Sequence, residues 1–307
     1  MKRESGQALV LVLLSLAVVL TLVLFVLSRS VTDVAVSSNQ EQAVRAFSAA
    51  EAGVEKALVI GSGTGLTSIG DANYTSSVTS FAQGSNTFNY PIQLSSGNSL
   101  TTWFVVHDST TGNAIDPNTG QSYCDGTHPC FAGNNIKICW GRPGTSPSSS
   151  TTPAIELSVV YEATPGDLST ARIARAAFDP YISRSTPNSF SAIDSGACNI
   201  SGVSYAFQKS LTFSSLGILP ASYNVPGGLQ FARIKMLYNT DTNHEIGIDV
   251  SGGSPLPSQG QDIISTGTAG STTVGLGSTR KIEVFQGWPE IPNIFEYSIY
   301  SSSGLTK

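Results

Sequence analysis

Residues 8–27, ALVLVLLSLAVVLTLVLFVL, limit what this chain can become more than any other stretch. They are 20 consecutive residues without a charge, and nothing later in the sequence resembles them. As a helix they span about 30 Å, the thickness of a bilayer core. Sixteen of the 20 are Leu, Val or Phe, and together they favour insertion by about 5–10 kcal/mol. Lys2 and Arg3 precede the run, whereas Arg29 and Asp33 follow it and largely cancel. The positive-inside bias therefore predicts a cytoplasmic N-terminus, with the bulk of the chain outside. A secretory signal has a shorter apolar region and a small-residue cleavage site, and Leu27-Ser28-Arg29-Ser30 offers none.

The helical pattern does not stop at the end of the apolar run. No Gly or Pro stands between Gln7 and Ala52, so the reading is one helix from Gln7 to Val59, about 80 Å long. Its second half is amphipathic, with Val44, Phe47, Ala50, Val54 and Leu58 recurring at spacings of three and four to predict one apolar stripe. Glu41 and Arg45 stand four apart in the favourable order on the opposite face. Gly61-Ser62-Gly63-Thr64-Gly65 then ends the helix.

A short basic leader, Met1-Lys2-Arg3-Glu4-Ser5-Gly6, followed directly by Gln7-Ala8-Leu9-Val10-Leu11, resembles the type IV pilin-like family. The segment Ala46-Phe47-Ser48-Ala49-Ala50-Glu51-Ala52-Gly53 matches the AF-x-AAEAG stretch of its PilX-type minor pilins. The resemblance covers about the first sixty residues. It implies leader cleavage between Gly6 and Gln7 by a prepilin peptidase, N-methylation of Gln7, and a helix that packs among like helices. Phe47 and Glu51 would then be assembly residues. One departure concerns Leu11, where major pilins carry a Glu at the fifth mature position. A carboxylate in the bilayer costs about 3 kcal/mol unless paired, and Leu11 cannot pair with a neighbour's terminal amine. That favours a subunit used once over one that repeats along a filament.

From residue 66 onward, short alternating runs separated by Gly, Asn, Ser and Pro replace the helical period. Predicted strands are 102–107, 136–140, 154–161, 171–178, 205–213, 229–238, 245–250, 281–285 and 295–300. Gly144–Pro153 (GTSPSSSTTP) reads as a hairpin loop between two of them. The expected fold is α+β: a long N-terminal helix, transmembrane in its first half, and an antiparallel β-rich, pilin-like head. The expected domains are a leader over 1–6, the helix over 7–60 with its transmembrane segment at 8–27, and a head over 61–307, with a sub-division near 186.

The four cysteines, Cys124, Cys130, Cys139 and Cys198, read as two disulfides in an extracellular head, with three connectivities open. The short loop from Cys124 to Cys130 favours that pair and leaves Cys139 with Cys198. The competing metal set, Cys124, His128, Cys130 and Cys139, matches no common zinc spacing. His107, His128 and His244 lie far apart and read as surface or loop residues, and 241–245 reads as a turn, since Ile246 occupies the position where a calcium loop needs Gly. Trp140 and Trp288 read as core or rim aromatics. No nucleophile elbow, phosphate loop, dinucleotide fingerprint or zincin motif is present.

A net charge of −5 and a pI near 5.2 argue against nucleic acid as a partner. The expectation is a non-catalytic minor pilin without cofactor or metal, held in the inner membrane and then drawn into a pilus-like filament. The resemblance implies other pilins, a prepilin peptidase and a membrane platform protein as partners. Two alternatives are a type II secretion pseudopilin and a signal-anchored surface adhesin or enzyme.

Overall fold

The computed structural model describes residues 5–108, 111–120, 122–125, 128–270 and 277–290, with residues 5–8 described by their backbone only. The leader residues 1–4 and the strand predicted at 295–300 lie outside the described residues. The chain opens with the helix α1 (Ser5–Ile60), followed by the strands β1 (Thr64–Ile69), β2 (Ala72–Ser80), β3 (Thr87–Asn89), β4 (Ser99–Trp103) and β5 (Asn135–Trp140). Next come β6 (Ala154–Glu162), β7 (Ala171–Phe178), α2 (Ile182–Asn188), β8 (Cys198–Ile200), β9 (Val203–Tyr205) and β10 (Phe207–Thr212). The remaining elements are α3 (Pro220–Tyr223), β11 (Leu229–Leu237), β12 (Ile246–Asp249), β13 (Gly260–Ala269) and β14 (Ser278–Gly287). The class is α+β, a long apolar helix followed by antiparallel sheets.

The chain divides into two compact units, residues 1–78 with 263–284, and residues 79–262 with 285–307. Position 186, where a sub-division was expected, lies in α2 inside the second unit. The first unit holds α1 and a sheet of order β1-β2-β13-β14. β1 and β2 form a tight hairpin, pairing Ile69 with Ala72 around Gly70, whose φ of +56° suits glycine.

The second unit is built on two sheets, β10-β5-β12-β3 and β4-β11-β6-β7, with a short β8-β9 ribbon. Both sheets feed one core: Ile136, Ile138 and Trp140 come from β5, Ile155, Leu157 and Val159 from β6, and Ala232, Ile234 and Met236 from β11. The period-2 pattern of β6 dictates this, because Glu156 and Ser158 alternate with the buried apolar residues. Phe104, Phe131 and Phe213, all fully buried, stack and edge against one another in the same core.

The Gly144–Pro153 stretch does not close a hairpin. β5 and β6, which flank it, belong to different sheets, so this segment crosses between them. Its hydroxyls fold it locally: Thr152 Oγ1 donates to Ser146 O, and the Ser149 amide donates to Thr152 Oγ1. The indole N–H of Trp140 donates to Pro153 O and ties down its end. Side-chain turns of this kind compete with a simple reversal, which the composition alone does not reveal.

Candidate functional site

The site that stands out is α1. All described side chains from Leu9 to Glu41 are exposed, including the apolar run from Leu9 to Leu27. It is the one described helix long and apolar enough to cross a membrane. The polar side chains inside the run satisfy themselves on their own backbone: Ser15 Oγ donates to Val12 O at 2.9 Å and Thr21 Oγ1 to Val18 O at 2.8 Å. In lipid, where no water can serve them, this removes the cost of those hydroxyls.

Further along, α1 docks on the sheet of its own unit. The buried positions are Ala46, Ala49, Ala50, Gly53, Val54 and Ala57, one stripe at spacings of three and four. This corrects the predicted stripe. Ala50 and Val54 belong to it, but Val44, Phe47 and Leu58 are exposed on its flanks. The reason is the closeness of the sheet. A Cβ added to Gly267 of β13 would lie 1.9 Å from Ala46 O and 2.6 Å from Ala50 N. A Cβ added to Gly53 would lie 2.2 Å from Ser265 Oγ and 2.7 Å from the Tyr74 ring. At Gly267 backbone meets backbone, so only hydrogen- or methyl-sized side chains fit between there, whereas the bare Gly53 makes room for the Ser265 and Tyr74 side chains. The helix and β13 run in opposite directions, with Ala57 and Val54 against Ile263, Gly53 against Ser265, and Ala46 and Ala50 against Gly267. Burying four alanine methyls and Val54 contributes about 5 kcal/mol. The docked end of α1 therefore does not come away from the sheet cheaply.

Two ion pairs flank the docked part, Arg45 with Glu41 at 2.6 Å and Arg45 with Asp71 at 3.4 Å. All three side chains are well exposed, so each pair contributes under about 1 kcal/mol. Of the assembly residues expected from sequence, Phe47 and Glu51 are both exposed beside the docked stripe, and Leu11 lies in the exposed apolar half. Gly6 and Gln7 fall within the helix, though their side chains lie outside the described residues.

Cys124 is bonded to Cys130, and Cys139 is bonded to Cys198. The second bond ties β5 to β8 beside Ile200 and Tyr205. The first packs with Trp103, Val105 and Trp288. The metal reading of these cysteines is thereby overturned, since all four sulfurs are consumed. Among the described residues no group of His, Cys, Asp and Glu is arranged to hold a metal ion.

Two of the three histidines are not surface residues. His107 and His244 are 7% and 4% exposed, and only His128 lies outside. His244 Nδ1 accepts from the Arg142 amide at 3.1 Å. Its pKa is lowered by burial and, secondarily, by the Arg142 charge. Burial lowers His107 to about 4, against a smaller opposing effect of the Val105 backbone. Sequence reasoning missed both His107 and the Gly53–Ser265–Gly267 contact, because each is defined by what packs on it from far along the chain. No protein-family model matches the sequence, and no curated protein matches it.

Proposed function

We propose that this protein is a non-catalytic structural subunit of a type IV pilus-like filament, in the manner of a minor pilin. One observation carries the reading: a single unbroken helix is divided into an exposed apolar half and a half locked to a sheet by a small-residue stripe. Such a helix can exchange lipid for like helices while the sheet on its C-terminal half stays attached. The leader and the AF-x-AAEAG segment support the same reading from sequence.

In this mechanism a prepilin peptidase removes residues 1–6 and Gln7 becomes the methylated first residue. The apolar run then leaves the inner membrane, guided by a platform protein, and joins a bundle of pilin helices. Phe47 and Glu51, exposed on the flanks of the docked stripe, face neighbouring subunits. Leu11 lacks the carboxylate that would pair with a neighbour's amine, which suits a subunit placed once, at a tip or in a starting complex.

The test is the intact mass and N-terminal sequence of the chain expressed with and without a prepilin peptidase. Loss of six residues, exposing Gln7, is the expected result. Retention of Met1 while a control pilin is cut would reduce the protein to a plain membrane-anchored ectodomain.

A further inference from the structure

The pattern Asn-x-Ser/Thr, with any residue except Pro in the middle, is the acceptor for N-linked sugars on secreted chains. The sequence holds it twice, as Asn73-Tyr74-Thr75 and Asn199-Ile200-Ser201. The structure gives the two copies different surroundings. Asn73 is half-buried in β2, an interior strand flanked on both sides by β1 and β13, and its Oδ1 accepts from Ser68 Oγ at 2.7 Å. Asn199 is exposed, and so is Ser201, the hydroxyl residue of its pattern.

This second copy sits on the β8–β9 ribbon, a two-stranded sheet that turns at Ser201 and Gly202. Strand alternation points Cys198 and Ile200 inward, 2% and 3% exposed, and leaves Asn199 on the outside. The Cys139–Cys198 bond anchors the ribbon at that strand, and Asn89 Nδ2 donates to Ile200 O at 2.9 Å. Ser201 Oγ stands 3.2 Å from Thr87 Oγ1. Asn199 also serves the turn: its Oδ1 accepts from the Gly202 amide at 3.2 Å, and its Nδ2 donates to Ser204 Oγ at 3.2 Å. A sugar on Nδ2 conflicts with neither bond. The nitrogen carries two hydrogens, so one remains for Ser204 when the other is replaced.

The compartment fits the same chemistry. Two disulfides belong to an oxidising environment, and the basic flank at Lys2 and Arg3 predicts a head outside the cytoplasm.

We propose that Asn199 is an N-glycosylation site, which receives an oligosaccharide from a polyprenyl-phosphate-linked donor. A bond forms between Asn199 Nδ2 and the anomeric carbon of the donor sugar, and the bond from that carbon to the phosphate oxygen breaks. The phosphate leaves with the electron pair, and one Nδ2 proton passes to a base of the transferase. The glycan then stands beside the ribbon and keeps its strand edges from pairing with other chains. The inference rests on the outward location of the head and not on the filament reading.

The full chain is purified in detergent from its native cells and digested without reduction. Peptides are sequenced by electron-transfer fragmentation, which leaves a sugar on the residue that carries it. The expected result is an oligosaccharide mass on Asn199 and none on Asn73. Asn199→Gln and, separately, Ser201→Ala are expected to remove that mass completely, whereas Ser201→Thr keeps it. Ser201→Ala retains the asparagine and both of its turn bonds, so loss there reads the acceptor pattern and not the amide alone. Should Asn199→Gln fail to fold, the Ala and Thr variants at Ser201 carry the test. An unmodified Asn199 in a chain whose Cys139–Cys198 bond has formed would overturn the proposal. So would a glycan that survives Ser201→Ala, or one found on Asn73 or on the hydroxyls of residues 144–153 instead. A chain with neither the bond nor the glycan would overturn it together with the outward location of the head.

Discussion

Replacing Gly267 with alanine separates two physical expectations of opposite sign. By strand propensity alone, alanine in place of glycine within β13 is stabilising by about 0.5–1 kcal/mol. The structure requires the reverse. The new methyl would sit 1.9 Å from Ala46 O and 3.0 Å from Ala46 C, both backbone atoms of α1 that cannot rotate away. Relief requires the helix and strand to part by more than an ångström. Overpacking of a tight contact costs about 1–3 kcal/mol, and the displacement also opens part of the stripe whose burial contributes about 5 kcal/mol. The net expectation is a loss of about 2–4 kcal/mol. Gly65 of β1 is the control, because a Cβ there meets nothing within 4 Å. Denaturant unfolding of the full chain in detergent, followed with limited proteolysis at the end of α1, reads both variants. If Gly267→Ala unfolds at the same midpoint as Gly65→Ala, the close helix–strand approach is wrong.

Two further expectations concern the second unit. His107 has a folded pKa of about 4 against 6.5 for the free side chain, so on acidification the unfolded state takes up its proton first. Its contribution is fully present above about pH 6.5 and is lost as pH falls toward 4, by about 3 kcal/mol. The difference in unfolding free energy between wild type and His107→Phe, measured from pH 7.5 to 4, isolates that slope, and a parallel pair of curves would refute it. Breaking Cys139–Cys198, which spans 59 residues, by double serine substitution is expected to cost about 4 kcal/mol, whereas breaking Cys124–Cys130, which spans 6, costs about 2. Thermal unfolding of the two double variants should preserve that order.

The extent of α1 was legible because the absence of Gly and Pro over 7–52 and the uncharged run over 8–27 are one-dimensional facts. The alternation at 155–159 was equally readable, since one face of β6 is solidly apolar. The docking face of α1 was not. Large apolar residues at helical spacing point to Val44, Phe47 and Leu58, but the sheet comes so close that alanines and a glycine occupy the contact. β13 escaped for the complementary reason. Its inward positions are Ile263, Ser265, Gly267 and Ala269, of which one alone is strongly apolar, so no hydropathy alternation marks the strand. Likewise His107 and His244 carry no local sign of burial, because the rings and loops that cover them come from distant segments. The tight spacing of Cys124 and Cys130 favoured their bond from the start, whereas the partner of Cys139 followed only by elimination.

The contact between α1 and β13 also has a mechanical meaning. Long side chains at an interface act as soft springs, able to change rotamer and let two elements slip by an ångström before anything breaks. Where Gly267 meets Ala46 and Ala50 there is almost no such slack, because methyl groups and bare backbone have no rotamers to give. A tension applied along the axis of α1 would therefore pass into the sheet as shear with little compliance. The joint would hold stiffly up to a threshold and then fail abruptly.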